Sequence, residues 1–418
     1  GGLATLGATA GFSALSSSAD ADTDTGGALT STPTAPNVVL TTVQPLHSDV
    51  VNQSYGIQLH SSYTGSVYDQ YDAIAALLKD LGVRSVRDRL TPAVPASVAF
   101  LRQLGTIGIK THATMGAFPS TDVLRAKLGT TAATMTGVLE CMAGYNEPNA
   151  AGRPSNWATL TAQHQQWLWN LGRQIGVPVG GPSLHDQVPT LAQDYQTLGS
   201  LGVGNMCNTI NIHRYPSGLS PSQLIDERTA LARSGLGNKV VHCSEGGYFT
   251  SLDSTGVGNP VSEAAQAMYA PRHLMEYVLR GGKFWQYELM DDPDSTRCDR
   301  EKNLGMVAVG STSPSTWRPK PAFAAMKDLL VETADPGPAY TPRPLQMRIT
   351  GPSDLRWLAF GKRDDSRFLI VWRDVNVWNT STKSDIGVAP ATVTVEARQT
   401  RTFAIDGKIR IIRMGKNA

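Results

Sequence analysis

Val138-Leu139-Glu140-Cys141-Met142-Ala143-Gly144-Tyr145 leads directly into Asn146-Glu147-Pro148-Asn149. The first eight residues form a short, mostly apolar run of the length a buried strand needs. Pro148 stops that strand and fixes the turn after it. A carboxylate, Glu147, is thereby placed at a strand end beside an amide, Asn146. Seven similar runs flank this one: Tyr55–Leu59, Ser85–Arg89, Ile109–Thr114, Val177–Gly181, Thr209–His213, Lys239–Cys243 and Lys283–Tyr287. Stretches with a helical period separate most of them: Tyr71–Leu81, Val98–Leu104, Trp157–Ile175, Leu191–Leu201, Pro221–Arg233 and Glu263–Arg280, with Lys320–Leu330 after the last. Strands alternating with helices predict an α/β fold, a (β/α)8 TIM barrel.

The pattern changes after Pro336. Pro336, Pro338, Pro342 and Pro344 mark a boundary, and strand-like runs follow at Leu355–Gly361, Arg367–Trp372, Ala391–Glu396 and Lys408–Arg413. These predict a small C-terminal antiparallel β-sandwich domain over 336–418, with the catalytic barrel over 38–335. Val38–Thr42 is strand-like, and residues 38–50 are available to pair into the β domain. Residues 1–37 read differently. Gly1–Leu15 is small and apolar, and Ala19-Asp20-Ala21 resembles a signal-peptidase site, so a partial secretory signal and a disordered linker are expected, with a secreted, extracellular product. The apolar stretch is shorter than the roughly 20 residues that span a bilayer, so no membrane span is expected.

Composition narrows the function. Thirty-seven Lys plus Arg against 35 Asp plus Glu give a net charge of +2, which leaves no electrostatic footprint for nucleic acid. No G-x-G-x-x-G follows the first strand, and P-loop and G-x-S-x-G motifs are absent, which disfavours dinucleotide, nucleotide and α/β-hydrolase chemistry. The four cysteines (Cys141, Cys207, Cys243, Cys298) form no C-x-x-C pair, and Cys141 and Cys243 read as inert buried thiols. His60, His112 and His185 lie near strand ends without metal-ligand spacing, so sugar contacts or structural roles are expected, and neither a metal nor a cofactor. The acidic stretch Glu288–Asp299 lacks EF-hand spacing and reads as a solvated substrate-binding loop.

In this fold the C-terminal strand ends carry the chemistry. The seventh run continues through Ser244-Glu245-Gly246-Gly247, placing a second carboxylate, Glu245, at a strand end. The two glycines are expected to let a ligand approach the backbone. Two carboxylates on strands four and seven are what glycoside hydrolysis requires: one protonates the leaving oxygen, the other attacks carbon or activates water.

These residues resemble the clan A glycoside hydrolases, the "4/7" retaining barrels that include families 5, 30, 39 and 79. The resemblance covers about Tyr55 to Leu330 and rests chiefly on Asn146-Glu147-Pro148 and Glu245. It implies an exported retaining glycosidase acting on a polysaccharide or glycoconjugate, with Glu147 as acid/base and Glu245 as nucleophile. It also implies that Asn146 binds the neighbouring sugar hydroxyl, that Arg87 steadies the nucleophile, and that His213 and Tyr215 surround it. Trp285 would be the aromatic floor under the sugar; His60, from its place near a strand end, is read as a further contact. Ser244-Glu245-Gly246-Gly247 departs from the Thr-Glu and bulkier residue of many relatives. Two other readings remain open: a carbohydrate-binding barrel without catalysis, and a transglycosylase using the same two Glu.

Overall fold

Eight parallel strands close into a barrel in the computed structural model, which describes residues 32–33, 39–254, 258–292 and 299–414. The strands are β1 (Tyr55–Gln58), β2 (Ser85–Leu90), β3 (Lys110–Met115), β4 (Leu139–Ala143), β5 (Val179–Gly180), β6 (Ile210–His213), β7 (Val241–Gly246) and β8 (Phe284–Gln286). Sequence neighbours pair in order, β8 pairs with β1, and a parallel bridge between Gly180 and Thr209 joins β5 to β6. A helix follows each strand: α1 (Tyr71–Leu81), α2 (Pro95–Thr106), α3 (Asp122–Ala133), α4 (Trp157–Ile175), α5 (Leu191–Ser200), α6 (Ile225–Leu236), α7 (Glu263–Leu279) and α8 (Pro321–Thr333). In α1 the buried Ile74, Leu78 and Leu81 recur every three or four residues and turn one face to the barrel.

Helix α3 was not marked by the sequence pattern. It buries only Leu128 and Ala132, and is set by the Thr121 hydroxyl, which accepts from the Leu124 amide at 3.2 Å. Strand β7 runs three residues beyond its expected end, so Glu245 lies within it.

The barrel interior below the mouth is filled by side chains. Trp285 is 1% exposed; its Nε1 donates to Ser85 Oγ at 3.0 Å and its ring packs on His112 at 4.4 Å. Gly56 on β1 leaves the space for it, since a Cβ there would lie 2.2 Å from the indole. Cys141, Cys207 and Cys243 are buried free thiols, and burial pushes Cys141 and Cys243 up to about 12. Cys298 lies outside the described residues, as does most of the expected signal and linker.

The C-terminal strands are β9 (Leu345–Thr350), β10 (Leu355–Gly361), β11 (Arg367–Arg373), β12 (Ala391–Glu396), β13 (Gln399–Ile405) and β14 (Arg410–Arg413). They form two sheets. One orders Thr32–Pro33, β13, β12, β9 and Thr41–Val43; the other orders β14, β11, β10 and Leu46–His47. Residues Thr32–Pro33, inside the stretch expected to be an unpaired linker, thus pair with β13. Side chains alternate along β11: Leu369 and Val371 fill the space between the sheets, while Phe368, Ile370 and Trp372 join the barrel's own core. Both faces are covered, which is why this strand reads as an unbroken apolar run.

Buried polar groups pin the two parts together. Trp372 donates its Nε1–H to Glu276 of α7 at 2.5 Å, and Arg280 meets the same carboxylate at 2.6 Å. Arg272, fully buried, reaches the Val375 carbonyl at 2.7 Å, and Asp374 accepts from Ser220 and Ser222 at 2.6 Å each. Leaving a buried donor unmet costs more than the bond itself contributes. Glu276→Ala is therefore expected to destabilise the whole chain by about 3 kcal/mol. Denaturant unfolding checks this, and a loss under about 1 kcal/mol would contradict the docking described.

Candidate active site

The mouth of the barrel at the C-terminal strand ends opens into a cavity of about 370 Å³. Glu147 lies just beyond β4, within the left-handed region at φ 48°, a backbone conformation that costs a non-glycine residue about 1–3 kcal/mol. Its N–H donates to the Ser183 carbonyl at 2.8 Å, which holds the turn in place. The resulting carboxylate is 27% exposed on the cavity. Glu245 faces it from β7, only 12% exposed, and carboxylate oxygens of the two lie within 4.8 Å.

The two carboxylates have different partners. Glu245 receives Arg87 Nη1 at 2.9 Å on one oxygen and the Tyr215 hydroxyl at 2.7 Å on the other. Arg87 itself is 3% exposed and also donates to Gln58 Oε1 at 2.6 Å and Asn146 Oδ1 at 2.5 Å. Burial acts to raise the Glu245 carboxyl. The charges of His213 and Arg87, with hydrogen bonds from Tyr215 and Arg87, outweigh it and hold the group at about 2. Tyr215 moves the other way: burial and the Glu245 charge raise its hydroxyl well above the ordinary value, so it stays a donor. Glu147 Oε1 meets His213 Nδ1 at 2.8 Å and stands 3.6 Å from His185 Nδ1. His213 is 1% exposed and spans the pair, its Nε2 lying 3.7 Å from Glu245.

Strand alternation explains this convergence. Arg87, Glu245 and the groups after β4 and β6 all point inward at the top layer of the barrel. Asn146, Arg87, Tyr215 and His60, together with both carboxylates, line the cavity, and His213 lies against them. Trp285 does not line it. The sequence reading had its direction right but its layer wrong: Tyr287, two residues further along, presents its ring to the cavity from the same side.

His60 stacks on Tyr63 at 4.5 Å and bonds the Tyr287 hydroxyl at 3.0 Å. Behind it sits Glu288, fully buried, 3.2 Å from His60 and accepting from Tyr68 at 2.6 Å. The stretch from Glu288 is therefore not a solvated loop at its start. Glu288 and Asp292 are buried, and Asp291 pairs with Lys320 at 2.8 Å; residues 293–298 lie outside the described residues. His112 is walled into the barrel interior, where burial lowers its pKa well below the ordinary value.

Gly246 and Gly247 also serve a different purpose from the one expected. A Cβ on either would come within 2.4 Å of the Arg214 or Tyr287 carbonyl, so they let neighbouring strand ends pack closely rather than admit a ligand. Gln58 and Tyr287 are site groups that the sequence pattern did not single out, and Glu288, expected in a solvated loop, is a buried group behind the site. Their place at or just past the ends of β1 and β8 is the signal that could have found them.

Glu147, His213 and Glu245 are also close enough together to ligate a cation. The Arg87 guanidinium already supplies a positive charge to Glu245 there.

No family model and no curated protein matches this chain. Solved structures share its fold. A glucosidase from Croceicoccus marinus is 12% identical, over 88% of this chain and 82% of that one, with a TM-score of 0.56. A GH39 enzyme from Xanthomonas axonopodis pv. citri is 14% identical over 84% and 78%, with a TM-score of 0.51. A family 51 α-L-arabinofuranosidase from Bifidobacterium longum is 12% identical over 79% and 83%, also at 0.51. Identities this low speak for the architecture alone.

The Glu245 carboxyl titrates at about 2 against an ordinary 4.5. Its lowered pKa stabilises the fold fully above about pH 4.5, and that stabilisation is lost as pH falls toward 2. Arg87→Met removes the ion pair, so the Glu245 carboxyl is expected to titrate at higher pH, burial then meeting less opposition. Carbon-13 NMR of the glutamate carboxyls measures this; an unmoved Glu245 would contradict the assignment.

Proposed function

We propose that this chain is a retaining glycoside hydrolase that cleaves a polysaccharide or glycoconjugate by double displacement. The observation that carries the reading is the asymmetric carboxylate pair. One member is kept ionised by a buried guanidinium and a tyrosine hydroxyl. The other is more exposed, a few ångströms away on the cavity wall. Such a gap suits attack by a carboxylate better than the wider gap that leaves room for a water between acid and base.

In the first step Glu245 attacks the anomeric carbon while the glycosidic C–O bond breaks and Glu147 gives its proton to the departing oxygen. In the second, Glu147 takes a proton from water as that water attacks the same carbon, and the ester to Glu245 is released as carboxylate. Tyr215 and Arg87 each donate to one Glu245 oxygen and keep the carboxylate ionised, so that it presents a lone pair rather than a proton toward the sugar. Arg87 also occupies the Asn146 carbonyl oxygen, so the amide NH₂ is the part of Asn146 left for a sugar hydroxyl. The glucosidase and arabinofuranosidase that share this architecture are consistent with such a reaction. Export belongs to the same proposal and rests on Gly1–Leu15 and Ala19-Asp20-Ala21.

Reducing-end release from a panel of polysaccharides and aryl glycosides tests the assignment. Glu245→Gln should abolish turnover. Glu147→Gln should slow poor leaving groups by about 10²–10⁴ while sparing activated aryl glycosides. Added azide should then accelerate the Glu147→Ala variant and give a glycosyl azide of retained configuration. Turnover that persists in Glu245→Gln, an unchanged rate on poor leaving groups in Glu147→Gln, or an inverted product from the wild type would sink the proposal.

A further inference from the structure

We propose that the cavity takes a sugar bearing an oxyanion, a carboxylate or a sulfate ester, and that Arg89 is the residue that binds it. This inference rests on reading the cavity as a sugar site. Arg87 and Arg89 alternate with Asp88 along β2, so both arginines point to the barrel axis, Arg89 about 6–7 Å nearer the mouth. Both line the cavity, yet their surroundings differ. Arg87 is buried and meets Gln58, Asn146 and Glu245. Arg89 is exposed, and among the described residues its guanidinium has no hydrogen bond and no ion pair.

The acids around the cavity are already engaged. Glu245 is held by Arg87, Glu147 meets His213 at 2.8 Å, and Glu301 stands 3.6 Å from Arg300. Asp88 also lines the cavity, but its carboxylate is buried and accepts from the Ser61 and Arg89 backbone amides at 3.0 and 2.7 Å. Glu288 sits behind His60 and is shared with Tyr68. Among the described residues none of these carboxylates pairs with the Arg89 guanidinium, which stands at the mouth without a counter-ion, one layer above the carboxylate pair. Thr114, directly across the β2–β3 ladder from Arg89, also lines the cavity and can add a hydroxyl to the same group. A guanidinium offers five donors and no acceptor, in a fork that matches a carboxylate or sulfate. Neutral sugar hydroxyls would not require that charge.

Ligand-observed NMR titration of the full chain tests this with matched probes: methyl β-D-glucuronide and glucose 6-sulfate against methyl β-D-glucoside and glucose, and the corresponding galacto pairs. The wild type should bind at least one anionic probe about tenfold or more tighter than its neutral partner, with the advantage shrinking as salt is raised. The two anionic arms distinguish carboxylate from sulfate. Arg89→Gln removes no hydrogen bond or ion pair of that guanidinium among the described residues, so it should bring the ratio close to one by weakening the anionic probe. A wild type with no anionic preference in any pair, or a preference that survives Arg89→Gln, overturns the proposal. Because the readout is binding, it stands apart from the catalytic assignment, which is tested by turnover and product configuration in the Glu147 and Glu245 variants.

Discussion

The guanidinium of Arg87 is the constraint around which the upper layer of this barrel is organised. It is almost fully buried, and a buried cation is tolerated only when its charge and most of its donors are met. Here three strand ends meet its two terminal nitrogens, Gln58 from β1, Asn146 after β4 and Glu245 in β7, while Nε has no partner among the described residues. The need to neutralise one charge thereby fixes the relative positions of segments far apart in sequence. It also sets the ionisation of Glu245, and it decides which face of Asn146 is free. Glu147 escapes this arrangement. Its left-handed turn carries it clear of Arg87 and onto His213, so two carboxylates in one small space acquire different chemistry.

The layers below and beside the site supply the rigidity that this arrangement needs. Trp285 and His112 plug the barrel interior, so the polar groups above them rest on a packed floor and not on water. The C-terminal sandwich is joined to the barrel by the second face of β11 and by the partners of Glu276, Arg272 and Asp374. It is therefore a brace for helix α7. Trp372 and Trp378, both buried, are parts of that brace, not platforms for a ligand.

Much of the architecture was legible because it follows from local patterns. Strands buried on both faces leave apolar runs, and helices such as α1 leave an apolar stripe. Glu147 and Glu245 stood out together: one carboxylate at a strand end is ambiguous, but two at the ends of strands four and seven of one barrel are not. What escaped depends on tertiary registration. Helix α3 buries two residues and so has almost no stripe. Whether Trp285 or Tyr287 faces the cavity is a question of barrel layer, and residues two apart on a strand share a side, so periodicity cannot choose between them. The burial of Glu288 depends on Tyr68 and His60, which lie more than 200 residues away. Gly246 and Gly247 were read for a ligand, when the neighbouring carbonyls were the close approach they permit.

The central claim is that Glu245 is the group that bonds to the sugar. Incubation with a panel of 2-deoxy-2-fluoro glycosyl fluorides, followed by intact-protein and peptide mass spectrometry, tests it most directly. Fluorine at that position slows release of the sugar from the enzyme more than its attachment. The account predicts the mass gain of one fluorosugar, located on the peptide that holds Glu245 and absent from Glu245→Gln. A label on Glu147 or any other residue, or an adduct that still forms in Glu245→Gln, would contradict it.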